Sequence, residues 1–323
     1  MIPSSLILDE LSAITLICNA GCQYFFIPLP PQSQKKMKGE NNITERFISI
    51  EKIIMAKNKL LLRVIPKFVI KGFKKLIHLD EINAIIYKYK DIRGAEFATK
   101  IIESEFKAQI IVENPQNIPA SGRPLFISNH PLGGADGLAL ISEIGKVRSD
   151  VLFPVNDVLC SLPQFSEIFI PINKYGKNTD NHAKLNDAFS SQSAVVFFPA
   201  GMVSRKFKHD VIADLDWKHT FIKKSIEYQR DIIPVYTDAR NTNFFYRFAK
   251  TRKRLGLKFN LELILLPREM FLQRGKTIRL IFGKPIAYQT FDKSKSTKEW
   301  AKQVRDYVYR LKDDPNAEFG AGE

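Results

Sequence analysis

Cysteine is scarce in this chain. Cys18, Cys22 and Cys160 are the three present, too few and too scattered for a disulfide framework, which points to a reducing compartment. Histidine is nearly as rare, at five in 323 residues. None lies near the Cys18 and Cys22 pair, and no other histidine or carboxylate cluster has ligand spacing, which argues against a metal site and metal-assisted hydrolysis. Long apolar runs are also missing. Residues 11–30 are mostly apolar, but Asn19, Gly21 and Gln23 break the stretch and no positive flank precedes it, so it reads neither as a spanning helix nor as a secretory signal. Two readings stay open for it: a weak membrane anchor, or residues ahead of a true start at Met37 or Met55. The second is preferred, and the stretch is left out of the fold argument. No internal repeat is visible.

Acid is the next shortage. Lys and Arg number 49 against 34 Asp and Glu, a net charge of +15, which favours a polyanionic partner such as nucleic acid, an acidic membrane or a phosphorylated carrier. From 52 to 75 there are eight basic residues and no acidic one, interleaved with Leu60, Val64, Phe68 and Phe73. This composition describes a helix, or two helices bent at Pro66, lying in an anionic membrane interface. The plainer alternative is a core-packing helix with a solvated basic face. Between 200 and 280 the count is 18 basic to 8 acidic. There Arg247, Lys250, Arg252, Lys253 and Arg254 adjoin Phe244, Phe245, Tyr246 and Phe248, a mixture suited to a membrane interface, to stacked single-stranded nucleic acid or to an acidic carrier protein.

What is present divides the chain into an uncertain extension over 1–50, a basic amphipathic helical cap over 51–107, a main domain over 108–290, and a terminal helix with a disordered tail over 291–323. Asp80 is expected to cap a helix reaching Lys90, and Gly94 to reset the chain before a helix ending at Phe106. His78 is read as structural. Strands are expected at 108–112, 124–127, 151–155, 168–172, 195–198, 232–236, 261–266 and 278–282. Helices fall near 180–191, 217–229 and 297–312. Alternation of this kind specifies an α/β layered domain with a largely parallel central sheet flanked by helices, beside a small N-terminal helical cap. The tail after Asp313 is expected to be disordered.

The chain is organised around the stretch from Phe126 through Ser128, Asn129, His130, Gly133, Gly134 and Asp136 to Gly137. A short apolar strand stops at His130, Gly133 and Gly134 make a turn, and a helix begins at Gly137. The histidine therefore sits at the carboxyl end of a strand, where open α/β sheets place their chemistry. The turn lets Asp136 fold back beside the imidazole. A carboxylate accepting from one ring nitrogen leaves the other as a base.

Three ordered blocks raise this pair above chance: Asn129-His130 with Asp136, then Phe198-Pro199-Ala200-Gly201-Met202-Val203-Ser204-Arg205, then Ile232-Ile233-Pro234-Val235. Over about 108–290 the chain resembles the glycerolipid acyltransferase family, whose signatures are a strand-end Asn-His with a following Asp, a Phe-Pro-Glu-Gly motif and a late Pro-Val strand. The resemblance implies an acyltransferase-like fold and transfer of an acyl chain from a thioester to a hydroxyl. His130 is then the general base and Asp136 its orienting partner. Oxyanion donors are expected in the Gly133-Gly134 turn or near Gly201, with both choices open. Ser204 and Arg205 are expected to hold a carboxylate or phosphate, and Asn129 and Lys174 complete the expected substrate-binding set.

Departures from the family pattern refine the expectation. Five residues rather than four separate His130 from Asp136, Ala200 stands where most members carry a glutamate implicated in binding a glycerol-phosphate acceptor, and the block at 168–174 has only Lys174 in place of the usual arginine. These losses turn the resemblance towards the bacterial branch that O-acylates lyso forms of ornithine or glycine lipids, with a lysophosphatidate acyltransferase as the alternative. The donor is expected to be an acyl carrier protein or coenzyme A thioester, with no separate cofactor. The protein is expected peripherally on an anionic membrane surface at the cytoplasmic face, without a nucleic-acid partner. A reading from a different class, a non-catalytic basic module for membrane or nucleic acid, stands beside it.

Overall fold

A computed structural model describes residues 48, 49, 51, 65–156, 159–172, 179–257 and 260–320. The expectations for 1–36, for 52–64 and for Lys174 lie outside the described residues. In chain order the elements are α1 (Lys67–Leu76), α2 (Leu79–Lys88), α3 (Gly94–Lys100), β1 (Gln109–Glu113), β2 (Leu125–Ser128), α4 (Ala135–Gly145), β3 (Val151–Asn156) and β4 (Phe169–Ile172). They continue with α5 (Thr179–Ser190), β5 (Ala194–Phe197), β6 (Arg205–Lys206), β7 (Ile212–Ala213), α6 (Thr220–Glu227), β8 (Ile232–Asp238), α7 (Asn243–Arg254), α8 (Leu266–Phe271), β9 (Thr277–Phe282) and α9 (Thr297–Arg310). Among the described residues, no helix is long and apolar enough to cross a membrane.

The chain divides into two units. One comprises Met1–Asp91 with Asn243–Phe271, and the other comprises Ile92–Thr242 with Leu272–Glu323. The second is built on a seven-stranded sheet of order β1-β9-β8-β2-β5-β3-β4. Every neighbouring pair is parallel except β8 with β9, so the fold is mixed α/β with a mostly parallel sheet. β2 lies between β8 and β5, and all four of its residues are buried. Such burial on both faces explains why it reads as an unbroken apolar run rather than an alternating one. Withdrawing Leu125, Phe126 and Ile127 from water is worth roughly 1.5–3 kcal/mol for each side chain. The next helix, α4, is buried from Ala135 to Ile144, the mark of a helix enclosed by the core.

The boundaries differ from the sequence expectation in three places. The helix at 94–106 does not belong with the amino-terminal cap. α3 packs on α4 in the sheet unit, where Thr99 Oγ1 lies 2.8 Å from Ser142 Oγ. The expected strand at 261–266 is instead a 3-10 turn over Leu261–Leu265 running into α8, because periodicity cannot separate a short apolar run in a strand from one in a helix. The tail is ordered as far as residue 320. Phe319 packs its ring against Phe291, Trp300 and Tyr307, and the Tyr307 hydroxyl donates to the Ala317 carbonyl at 3.0 Å. Burial of this terminal aromatic outweighs the cost of ordering so short a segment. α9 starts as expected, from a capping box in which Ser296 and Glu299 satisfy each other's backbone N–H groups.

In the other unit, His78 adopts a left-handed conformation at the start of α2, stacks on Phe271 at 4.5 Å and approaches Glu81 at 3.0 Å. Asp80, expected to cap this helix, lies in its first turn.

Candidate active site

β2 ends at Ser128, and two side chains immediately beyond it have different jobs. Asn129 is buried and its amide bridges to β8: Nδ2 donates to the Thr237 carbonyl at 2.9 Å, and Oδ1 accepts the Thr237 N–H at 2.7 Å. It clamps the end of β2 to β8. His130 follows, with an imidazole 18% exposed, and its Nδ1 lies 2.9 Å from Asp136 Oδ2.

Asp136 sits in the first turn of α4 with no exposed surface. The carboxylate also accepts N–H groups from Leu132 at 2.9 Å, Gly133 at 3.3 Å and Gly137 at 2.9 Å. Gly133 makes this loop possible, because its φ of 80° falls in the left-handed region that carries little penalty only for glycine. Burial alone would raise the Asp136 pKa. The imidazole beside it and the backbone donors outweigh that effect and hold the carboxyl below its ordinary value. At neutral pH Asp136 is therefore a carboxylate accepting from Nδ1–H, a role the helix amino end favours. The basic nitrogen of His130 is then Nε2, and the pair can take a proton from a hydroxyl and return it to a leaving group.

Two further elements brace the histidine. The ring of Phe198, one residue past the end of β5, stacks on the imidazole with centroids 4.1 Å apart and planes inclined by 23°. Register pairing of Ile127 with Phe197 on adjacent parallel strands brings the two segments together. Phe153 packs edge-on against Phe198.

The buried Asp214 accepts the His130 backbone N–H at 3.2 Å to each oxygen, the Ser204 hydroxyl at 2.5 Å and the Trp217 indole N–H at 2.9 Å. Its own N–H donates to the Tyr309 hydroxyl at 2.7 Å, and Ser204 N–H donates to the His130 carbonyl at 2.8 Å. Burial is the largest influence on Asp214 and pushes its pKa up despite these donors. Asp214, Trp217 and Thr237 were invisible to sequence reasoning, since nothing in their spacing ties them to His130.

The remaining expected residues are placed as follows. Ser204 is buried, and its hydroxyl donates to Asp214. Arg205 opens the β6–β7 ribbon opposite Ala213, half-buried, with Nη1 donating to the Val203 carbonyl at 3.0 Å. Gly201 has φ 61° in an exposed turn. Gly133 N–H already serves Asp136, while Gly134 adopts an extended φ ahead of α4. Ala200 is buried, and it lines a groove of about 830 Å³ shared with Met202, Phe207, Val211, Lys218 and Arg305. His130 is not among the residues lining that groove, whereas Asp214 is. Among the described residues, no group of three or more His, Cys, Asp or Glu could hold a metal ion.

Sheet and site together define an α/β protein with a histidine–carboxylate pair at the carboxyl edge of its central parallel strands. The chain belongs to the acyltransferase family, whose sequence pattern it matches over residues 52–318, and it is an acyltransferase. It is 43% identical to a lyso-glycine lipid O-acyltransferase of Bacteroides thetaiotaomicron over 267 residues, covering 82% of this chain and 97% of that protein. A lyso-glycine lipid O-acyltransferase of Phocaeicola vulgatus is 41% identical over 267 residues, covering 82% and 95%. The crystal structure of the 1-acyl-sn-glycerophosphate acyltransferase PlsC from Thermotoga maritima is similar at a TM-score of 0.43 and 14% identity, covering 76% of this chain and 89% of that one.

Proposed function

We propose that this acyltransferase moves a fatty acyl chain from a thioester, on acyl carrier protein or coenzyme A, to the hydroxyl of a lyso-glycine lipid. His130 Nε2 removes the hydroxyl proton as the oxygen attacks the thioester carbonyl. The tetrahedral intermediate collapses with cleavage of the carbon–sulfur bond, and the imidazolium returns the proton to the departing thiolate. Asp136 holds the tautomer and balances the transient charge on the ring. The observation that carries this reading is the 2.9 Å contact between His130 Nδ1 and a buried, ionised Asp136 at the end of a central strand. Two relatives above 40% identity, matched over nearly their whole length, support the acceptor. Replacement of the family glutamate by Ala200 accords with an acceptor lacking a glycerol-phosphate head.

Work at a membrane surface is part of the proposal, peripherally and on the cytoplasmic side. α1 carries Lys67, Lys71, Lys74 and Lys75, has no buried residue and leaves Phe68 74% exposed, which suits an interfacial helix.

The test is an assay of purified protein with acyl carrier protein and coenzyme A thioesters, offering lyso-glycine lipid and lysophosphatidate in parallel. Product from the glycine lipid, reduced by on the order of 10³-fold or more in His130→Ala at unchanged thermal stability, is the expected result. Turnover of lysophosphatidate alone would overturn the acceptor, and full activity of His130→Ala would overturn the mechanism.

A further inference from the structure

The unit containing α7 presents a surface that the proposed chemistry does not use. No acidic residue occurs between 243 and 254. Phe245, Tyr246 and Ala249 face inward and are buried. Phe244, Arg247, Phe248, Thr251 and Leu255, spaced by three and four residues, form an exposed stripe. Along it Phe244 is 52% exposed, Phe248 37% and Leu255 69%, and Leu257 adds a further 38% just beyond.

The helix closes with Gly256 at φ 69°. Gly256 N–H donates to the Lys253 carbonyl and Leu257 N–H to the Arg252 carbonyl, at 3.1 and 3.2 Å. This reversal fixes the backbone that displays the two leucines. Arg252 turns inward to the buried Glu262, 2.8 Å away, and has a structural duty. Among the described residues, Arg247, Lys250, Lys253 and Arg254 pair with no carboxylate.

Four exposed apolar side chains with three uncompensated cations along one flank, Arg247, Lys250 and Arg254, match one chemistry best, an anionic lipid surface with hydrocarbon beneath its phosphates. An acidic protein would use the cations but leave the large apolar side chains unexplained. Single-stranded nucleic acid needs open ring faces, whereas Phe244 and Phe248 stack on each other at 6.2 Å and Arg268 lies over Phe244.

We propose that α7 and residues 255–257 form a docking surface for an anionic bilayer. Phe244, Phe248, Leu255 and Leu257 enter the boundary between headgroup and acyl chain, and Arg247, Lys250 and Arg254 meet the lipid phosphates. The proposal extends the membrane part of the functional reading and is tested by binding rather than turnover. The full chain is floated with phosphatidylcholine vesicles containing or lacking phosphatidylglycerol, at low and high salt. Wild type should partition to the anionic vesicles and be released by salt. The triple variant Arg247→Glu, Lys250→Glu and Arg254→Glu should lose at least roughly tenfold in partitioning. In Phe248→Trp, the emission of the introduced indole should shift to the blue on binding and be quenched by lipids labelled near the headgroup. Wild type bound with the triple variant equal to it, or that indole's emission unmoved, overturns this surface and leaves membrane association standing. Wild type that ignores vesicles but binds an acidic carrier protein or single-stranded DNA through the same three cations overturns both.

Discussion

Two buried aspartates flank His130, and the protein treats them in opposite ways. Asp136 faces the ring and Asp214 faces the backbone of the same residue. Both are surrounded by donors and nearly or wholly removed from solvent. The Asp136 carboxyl is held down, because an imidazole able to carry charge and the amino end of α4 lie against it. The Asp214 carboxyl is pushed up, because the loss of water outweighs its direct donors, a hydroxyl, an indole and an amide, together with the charge of the nearby His130. A carboxylate tuned for charge stabilisation and one used as a hydrogen-bond hub are thus told apart by whether the imidazole is hydrogen-bonded to them, since burial is the largest influence on both.

The most severe way to test this contrast is Asp136→Asn. An amide can still accept one backbone N–H, but it no longer favours the Nδ1–H tautomer or stabilises an imidazolium. We expect kcat to fall on the order of 10³-fold with little change in KM, measured by steady-state turnover. Asp214→Asn should act more gently and differently. It leaves one acceptor for several donors and should destabilise the fold by roughly 1–3 kcal/mol, while activity falls about tenfold through misplacement of the His130 backbone. A loss for Asp214→Asn as deep as that for Asp136→Asn would erase the distinction.

Stability against pH sharpens it further. Asp136, with its folded pKa lowered, contributes stability that is fully present above the ordinary aspartate range and is lost as pH falls through its folded pKa. Asp214, with its folded pKa raised, has the opposite sign: its contribution is greatest below the ordinary range and declines as pH rises towards the folded value. Chemical denaturation of wild type and each Asn variant across this interval should therefore give difference curves of opposite slope. The smallest effect is expected for Phe198→Leu, which removes the ring beneath the imidazole but keeps apolar volume. A loss of roughly 0.5–1.5 kcal/mol, read as a several-fold drop in kcat/KM, fits a stacking contact.

The same contrast explains what could be read in advance. His130 and Asp136 lie six positions apart on a strand, a glycine turn and a helix start, so local geometry brings them together and sequence displays it. Asp214 reaches His130 across 84 positions of chain, and Asn129 finds Thr237 across 108. No periodicity links such partners. Asn129 and Ser204 illustrate the limit: their residue types suggested contacts with substrate, and only their surroundings reveal that the amide and the hydroxyl are already engaged. The strand expected at 261–266 became helical for a related reason, since a brief apolar segment takes its conformation from what it packs against.

By itself, then, the sequence determined the alternation of apolar strands with amphipathic helices, the histidine at a strand end with its carboxylate, and the excess of positive charge. These are properties of nearest neighbours along the chain and of composition. The tertiary structure decided which strands lie beside β2, which side chains brace His130, that Ala317 and Phe319 fold back onto the core, and which of the described basic residues face water. Those outcomes depend on contacts between segments far apart in sequence, where packing and the need to satisfy buried polar groups override local preference.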